Sequence, residues 1–159
     1  MGTQLVMYEE EFSKINTVCD RLTKDANARV VFLVDKNGQL ISAAGQTHNI
    51  DTTSLASLTA GNVAAMGGLA KLIGENEFPM QYHQGTTVSL LSALIGSRVV
   101  LVVIFDNRTS QGLVQLRVKK ASAELQAIFD ALLKKTDSPG AGSPFAEISD
   151  DDIDNLFSE

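Results

Sequence analysis

Cysteine is all but absent: Cys19 stands alone in 159 residues. That excludes an internal disulfide and a cysteine-based zinc site. Two histidines, His48 and His83, leave little from which to build a metal centre. No apolar run is long enough for a membrane span, and the longest, residues 99–105, is strand-sized. The opening "MGTQLVMYEEEF" lacks the basic n-region and cleavage pattern of a secretory signal. Val6 stands where a myristoylation motif needs Ser or Thr. These absences describe a cytoplasmic protein with no bound cofactor or metal.

Basic excess is lacking too. Residues 1–144 hold all 13 Lys and Arg against 13 Asp and Glu, so the body is neutral. The net charge of −6 sits in residues 145–159, on Glu147, Asp150, Asp151, Asp152, Asp154 and Glu159. A neutral body with an acidic end has no basic face for nucleic acid.

What is present begins with a helix. Leu5, Tyr8, Phe12, Ile15, Cys19, Leu22 and Ala26 recur at three- and four-residue spacing, one apolar face. Cys19 lies on it and reads as a small buried hydrophobe. Two β-rich runs, 29–35 and 39–44, then flank Asn37-Gly38, a strong hairpin signal because both residue types tolerate positive φ. Asp35 and Asn37 lack the further oxygen ligands that a metal loop needs. Asp51 or Thr52 can cap a second helix that reaches about Gly74. "NEFPMQYHQG" alternates Phe78, Met80 and Tyr82, and its Pro79 suits a sheet edge, where one donor fewer is tolerated. "TTVSLLSAL" and "RVVLVVIFD" are two more strands around the turn "IGS". The second is apolar throughout, as a strand covered on both faces would be. A third helix starts near Thr109 or Ser110 and aligns Val114, Val118, Ala121, Leu125, Ile128, Phe129 and Leu132. Short links imply antiparallel pairing. The fold class is α+β, a five-stranded antiparallel sheet in the order α-β-β-α-β-β-β-α. Residues 1–135 form the domain, 136–144 a linker and 145–159 an acidic tail.

The second helix carries the most unusual composition. "TAGNVAAMGGLAKLIGE" crowds glycine beside small residues, which suits either a phosphate cradle or close packing. The phosphate pattern fails: Met66 stands where a P-loop needs its second glycine, and the glycines never fall at i, i+2 and i+5. On a helical wheel Leu55, Leu58, Met66, Leu69 and Ile73 share one side, which is expected to face the sheet. Ala56, Ala60, Ala64 and Gly68 step by four along another, beside Gly67. Glycine inside a helix costs about 1 kcal/mol relative to alanine, so close packing should offset it. With Gly61 and Lys71 alongside, this small-residue face is the expected contact surface for another chain.

The tail "SPFAEISDDDIDNLFSE" interrupts its acids with Phe145, Ile148, Ile153, Leu156 and Phe157. The last three fall at i, i+3 and i+4, and Ser149 can cap a short amphipathic helix that docks into a groove; the alternative is a disordered, solvated acidic tail.

The order of elements, carried by "VVFLVDKNGQLISAAG", "LASLTAGNVAAMGGLAKLIGE", "RVVLVVIFD" and "GLVQLRVKKASAEL", resembles the Roadblock/dynein-light-chain domain. The resemblance spans roughly residues 5–135, and the whole chain with its tail is similar to a bacterial polarity protein of that family. It implies a homodimer joined through second helices and edge strands. It also implies that a face built from the small-residue helices, here Ala60, Gly61, Ala64, Gly67 and Gly68, receives a small Ras-like GTPase. The implied activity is stimulation of GTP hydrolysis by reshaping the partner, without an arginine finger and without an active site here. A cell pole is the candidate location. The alternative is a non-catalytic dimeric adaptor of the dynein-light-chain type. A self-contained enzyme is disfavoured, because no nucleophile–base pair or phosphate loop is found.

Overall fold

A computed structural model describes residues 2–136. The amphipathic opening becomes α1, Gly2–Asp25. On its apolar face Ile15, Cys19 and Leu22 are buried as the spacing requires, as is Ala26 just past its end. The hairpin follows as β1, Val30–Asp35, and β2, Leu40–Gly45. Its turn differs from the expectation in one respect. Gly38 has φ +91°, but Asn37 stays out of the left-handed region. Gly38 N donates to Asp35 O at 2.8 Å, and Asp35 Oδ1 accepts from Asn37 N at 2.7 Å. The loop is a tight turn closed by one left-handed glycine, and Asp35 serves it by capping the next residues.

Next come α2, Thr52–Leu72, then β3, Met80–His83, β4, Val88–Ile95, and β5, Val99–Asp106. The third helix, α3, is Gln111–Thr136. Ser110 starts it, its Oγ accepting from Leu113 N at 3.2 Å. The five strands form one antiparallel sheet in the spatial order β2-β1-β5-β4-β3. β5, apolar from Val99 to Phe105, takes the centre, as its composition indicated. A register shift between Leu33 and Val34 kinks the β1–β2 pairing. Pro79 precedes β3 rather than lying in it, and its carbonyl accepts from Leu94 N at 2.9 Å. The edge strand therefore keeps its four backbone donors. Helix α3 runs one residue past the expected domain boundary. The rest of the linker, and Phe145, Ile148, Ile153, Leu156 and Phe157 of the tail, lie outside the described residues.

Alternation along the strands divides the interior in two. On one face Val31, Leu33, Leu101 and Val103 pack against α1 and α3, with Leu125 and Leu132 among the fully buried side chains. On the other, a smaller core of Val30, Phe32, Val34, Val100 and Val102 meets α2 through Ala56. Two helices thus cover one face, and α2 alone covers part of the other. Phe32 is the largest side chain of the smaller core, so Phe32→Ala should cost about 3–5 kcal/mol through lost burial and the cavity left under α2. Urea unfolding at fixed protein concentration measures it. A loss below about 1 kcal/mol would mean that α2 collapses freely onto the sheet.

Candidate interaction surface

Helix α2 is bounded firmly. Asp51 is the N-cap: Oδ1 accepts from Ser54 N at 3.1 Å and Oδ2 from Ser54 Oγ at 2.6 Å. These bonds hold its carboxyl below the usual carboxylate range. At the other end Gly74, with φ +88°, lets Glu75 N reach Ala70 O at 2.8 Å and Gly74 N reach Lys71 O at 3.3 Å. Such a stop satisfies the orphan carbonyls of the last turn. Three glycines, Gly61, Gly67 and Gly68, remain inside this well-defined helix.

The structure corrects which side of α2 faces in. Leu55 packs on the smaller core and Met66 is half-buried. Leu58, Leu69 and Ile73, expected on the sheet, point outward instead, 72%, 46% and 63% exposed, and Leu72 beside them is 84% exposed. The inward line runs through Ala56, Val63 and Ala70. The reason lies at the hairpin. A Cβ placed on Gly38 would be 3.5 Å from Ser57 Cα and 3.8 Å from Ala60 Cβ. Small residues in the first half of α2 let the helix sit close against that turn. Ala56 accordingly belongs to the protomer's own core and is withdrawn from the candidate contact surface.

The second half of the small-residue row behaves differently. Gly61, Ala64 and Gly68 are exposed, and Gly67 is half-exposed. A Cβ on Gly61, Gly67 or Gly68 would meet no other atom of the protein within 4 Å, helix backbone aside. Packing within the protomer does not ask for these glycines, though each costs the helix about 1 kcal/mol.

Between this half of α2 and strands β3 and β4 opens a cleft of about 380 Å³. Val63, Gly67 and Lys71 form one wall, and Phe78, Gln81 and Leu94 the other. Lys36 bridges to Glu77 at 3.7 Å along its rim. Leu90, Leu94 and Ile104, on the same sheet face, are only partly buried. Sequence reasoning missed both the cleft and the outward leucines. The available signal was that α2 carries a single charge, Lys71, in 21 residues, too few for a helix with one solvated side.

Among the described residues no group of three His, Cys, Asp or Glu could hold a metal ion. Both histidines are exposed. Burial pushes the Cys19 thiol up to about 11, so little thiolate forms at neutral pH. Arg21 pairs with Glu124 across α1 and α3, and Arg117 borders the same seam, on the sheet face away from α2. Arg108 Nε donates to Asp106 Oδ1 at 3.0 Å, and Arg29 lies 4.0 Å from the same carboxylate. That pairing, led by the Arg108 side chain, holds Asp106 below the usual carboxylate range. No helix among the described residues is long and apolar enough to cross a membrane.

Known proteins share this geometry. The Roadblock/LC7 domain family matches residues 14–105. The chain is 80% identical to MglB of Myxococcus xanthus, over 76% of this chain and 98% of that one, with a TM-score of 0.75. It is 31% identical to a gliding protein MglB of Thermus thermophilus, over 76% and 92% of the two chains, with a TM-score of 0.72. It is 29% identical to an MglB described in a tetrameric arrangement, over 76% and 91%, with a TM-score of 0.73. No curated protein matches by sequence.

Proposed function

The chain belongs to the Roadblock/LC7 family, and from that premise we propose that it is a homodimeric regulator of a small Ras-like GTPase of the MglA kind, stimulating GTP hydrolysis in cell polarity and motility. The observation that carries the reading is α2. Its glycines Gly61, Gly67 and Gly68 are unneeded by the protomer and its leucines Leu58, Leu69 and Leu72 face outward, so the helix is built for another chain. The Thermus relative is named a gliding protein, which supports a role in motility; a cell pole is the proposed place of action. The outward leucines Leu58, Leu69 and Leu72 join two copies, with β3 edges extending the sheet between them. Ala60, Gly61, Ala64, Gly67, Gly68 and Lys71 then present the face that the GTPase approaches. The acidic tail, with Phe145, Ile148, Ile153, Leu156 and Phe157, engages the bound GTPase at a second site and is dispensable for dimerisation.

The chemistry belongs to the partner. Of the five arginines, Arg21 and Arg117 lie at the α1–α3 seam, and Arg29 and Arg108 converge on Asp106. None of these four borders the α2 cleft. The dimer acts by holding the GTPase in a competent arrangement, not by inserting a cation. Single substitutions of Arg21, Arg29, Arg98, Arg108 and Arg117 to Ala are each expected to lower stimulation by less than about ten-fold, far short of a finger's contribution. A loss of about 10³, the low end for an arginine finger, with affinity unchanged would overturn this mechanism. The reading as a whole is tested by GTP turnover of a Ras-like partner with and without the protein. Binding without acceleration would assign the chain to the adaptors instead.

A further inference from the structure

The β1–β2 turn carries a chemistry that the hairpin does not use. Of the eight asparagines in the chain, Asn37 alone is followed by glycine. In that sequence the glycine nitrogen can attack the asparagine side chain. Gly38 N gives up its proton and bonds to Asn37 Cγ, and the side-chain nitrogen leaves as ammonia, carrying a proton. Water then opens the cyclic imide at either carbonyl. The products are aspartate at 37 or isoaspartate, in which the main chain runs through the side-chain carboxyl and is one methylene longer. Glycine has no Cβ to obstruct the attack, and asparagine is among the thermolabile residue types. Asn37 is exposed, so water has access.

The folded turn withholds the attacking atom. Gly38 N donates to Asp35 O at 2.8 Å, so the proton that must leave is held in a hydrogen bond. Asn37 N donates to Asp35 Oδ1 at 2.7 Å, which fixes the peptide on the other side of Asn37. The frame around the turn is fixed as well. Asp35 N donates to Gln39 O and Lys36 N to Arg98 O, both at 2.8 Å. An added Cβ on Gly38 would lie 3.5 Å from Ser57 Cα, so α2 backs the turn. Freeing Gly38 N therefore means releasing the hairpin end from β5 and α2 together, not turning one side chain. Such an opening costs more than the fraying of a solvated loop.

We propose that Asn37-Gly38 is a modification site gated by the fold, inert in the closed hairpin and converted to aspartate or isoaspartate at 37 when the turn opens. Its two products differ in consequence. Aspartate leaves the main chain as it was and can re-enter the turn. Isoaspartate puts an extra backbone atom between Asp35 and Gly38, so the bond from Gly38 N and the contact with α2 do not both return. The hairpin supports the first half of α2, and a chain altered in this way loses the footing of that helix. Repeated opening thus retires chains from the folded pool. The inference concerns the chain's own chemistry and stands or falls separately from any effect on GTP turnover.

Ageing the full chain in native buffer and, in parallel, in guanidinium chloride tests it, both at the same mildly alkaline pH. Mass spectrometry follows the peptide that holds Asn37, and chromatography separates its products. A synthetic peptide of residues 33–41, with no fold to lose, corrects for the solvent. The corrected conversion is expected to be at least about ten-fold faster in guanidinium, the factor that about 1.4 kcal/mol of turn closure supplies. Aged chains are then returned to native buffer and treated with protease. Isoaspartate at 37 should be enriched at least about ten-fold among the digested chains. The aspartate product and the full-length variant Asn37→Asp should survive as the unaltered chain does. Equal corrected rates in the two solvents would overturn the gating. Isoaspartate chains as protease-resistant as the rest would overturn the loss of the turn. A protease-sensitive Asn37→Asp would assign the damage to charge and overturn the part given to the added backbone atom.

Discussion

The double variant Leu69→Asp/Leu72→Asp is expected to be a folded monomer at concentrations where the unaltered chain is a dimer. Both leucines point away from the protomer's core, 46% and 84% exposed, so their loss removes little from the isolated fold. In a dimer joined through α2 each would be covered. Burying a leucine is worth about 1.5–3 kcal/mol, and both copies carry the variant, so the homodimer loses four and association weakens by about 10⁴ or more before the cost of facing carboxylates is counted. Aspartate adds that cost, because an unpaired charge in an apolar contact must be desolvated or left wet. Sedimentation equilibrium reads the association and circular dichroism the fold. A variant that remains a dimer would move the homodimer contact off the outward side of α2, to the β3 edge alone. A variant that unfolds would show that these leucines support the protomer, against their exposure.

The fold was largely legible because its periodicities are clean. The apolar line of α1 and that of α3 each face one layer, and the unbroken apolar run of β5 indicates its place at the centre. The hairpin was legible through Gly38, whose positive φ is what Asn-Gly advertised, although Asn37 took an ordinary conformation. Helix α2 was misread for a physical reason. A helix that contacts its own sheet on one side and another chain on the other has apolar residues all round, so a wheel offers two candidate inward faces. The larger side chains were assigned inward, as hydrophobicity alone would have it. The sheet instead takes Ala56 and Ala70, and near the first of these the hairpin turn at Gly38 rests on Ser57 and Ala60, where small side chains allow the contact. The cleft was not legible at all. It depends on the angle at which α2 crosses the sheet, which places Val63 and Lys71 opposite Gln81 and Leu94, residues far apart in the chain.

Gly68→Arg and Ala64→Arg are expected to abolish stimulation of the GTPase while leaving a folded protein. Position 68 is exposed, and a Cβ there meets nothing within 4 Å, so the fold has room for the new side chain. Arginine is also a better helix former than glycine, which favours the protomer by several tenths of a kcal/mol or more. What the substitution takes away is close approach. A partner resting on bare helix backbone must retreat by several ångströms or desolvate a guanidinium without a counter-charge, and either outcome should weaken binding by at least about 100-fold. Gly68→Ala is the graded companion: it stabilises the isolated chain by up to about 1 kcal/mol and weakens the partner complex only modestly. Stability and binding should thus move in opposite directions along the series Gly, Ala, Arg at position 68. Thermal unfolding, partner affinity and GTP turnover, measured on the same preparations, decide it. Normal turnover with both arginine variants would remove the small-residue face from the GTPase contact. Loss of the dimer in place of the GTPase would give that face to the homodimer, leaving the glycines explained but the partner's site still on another surface.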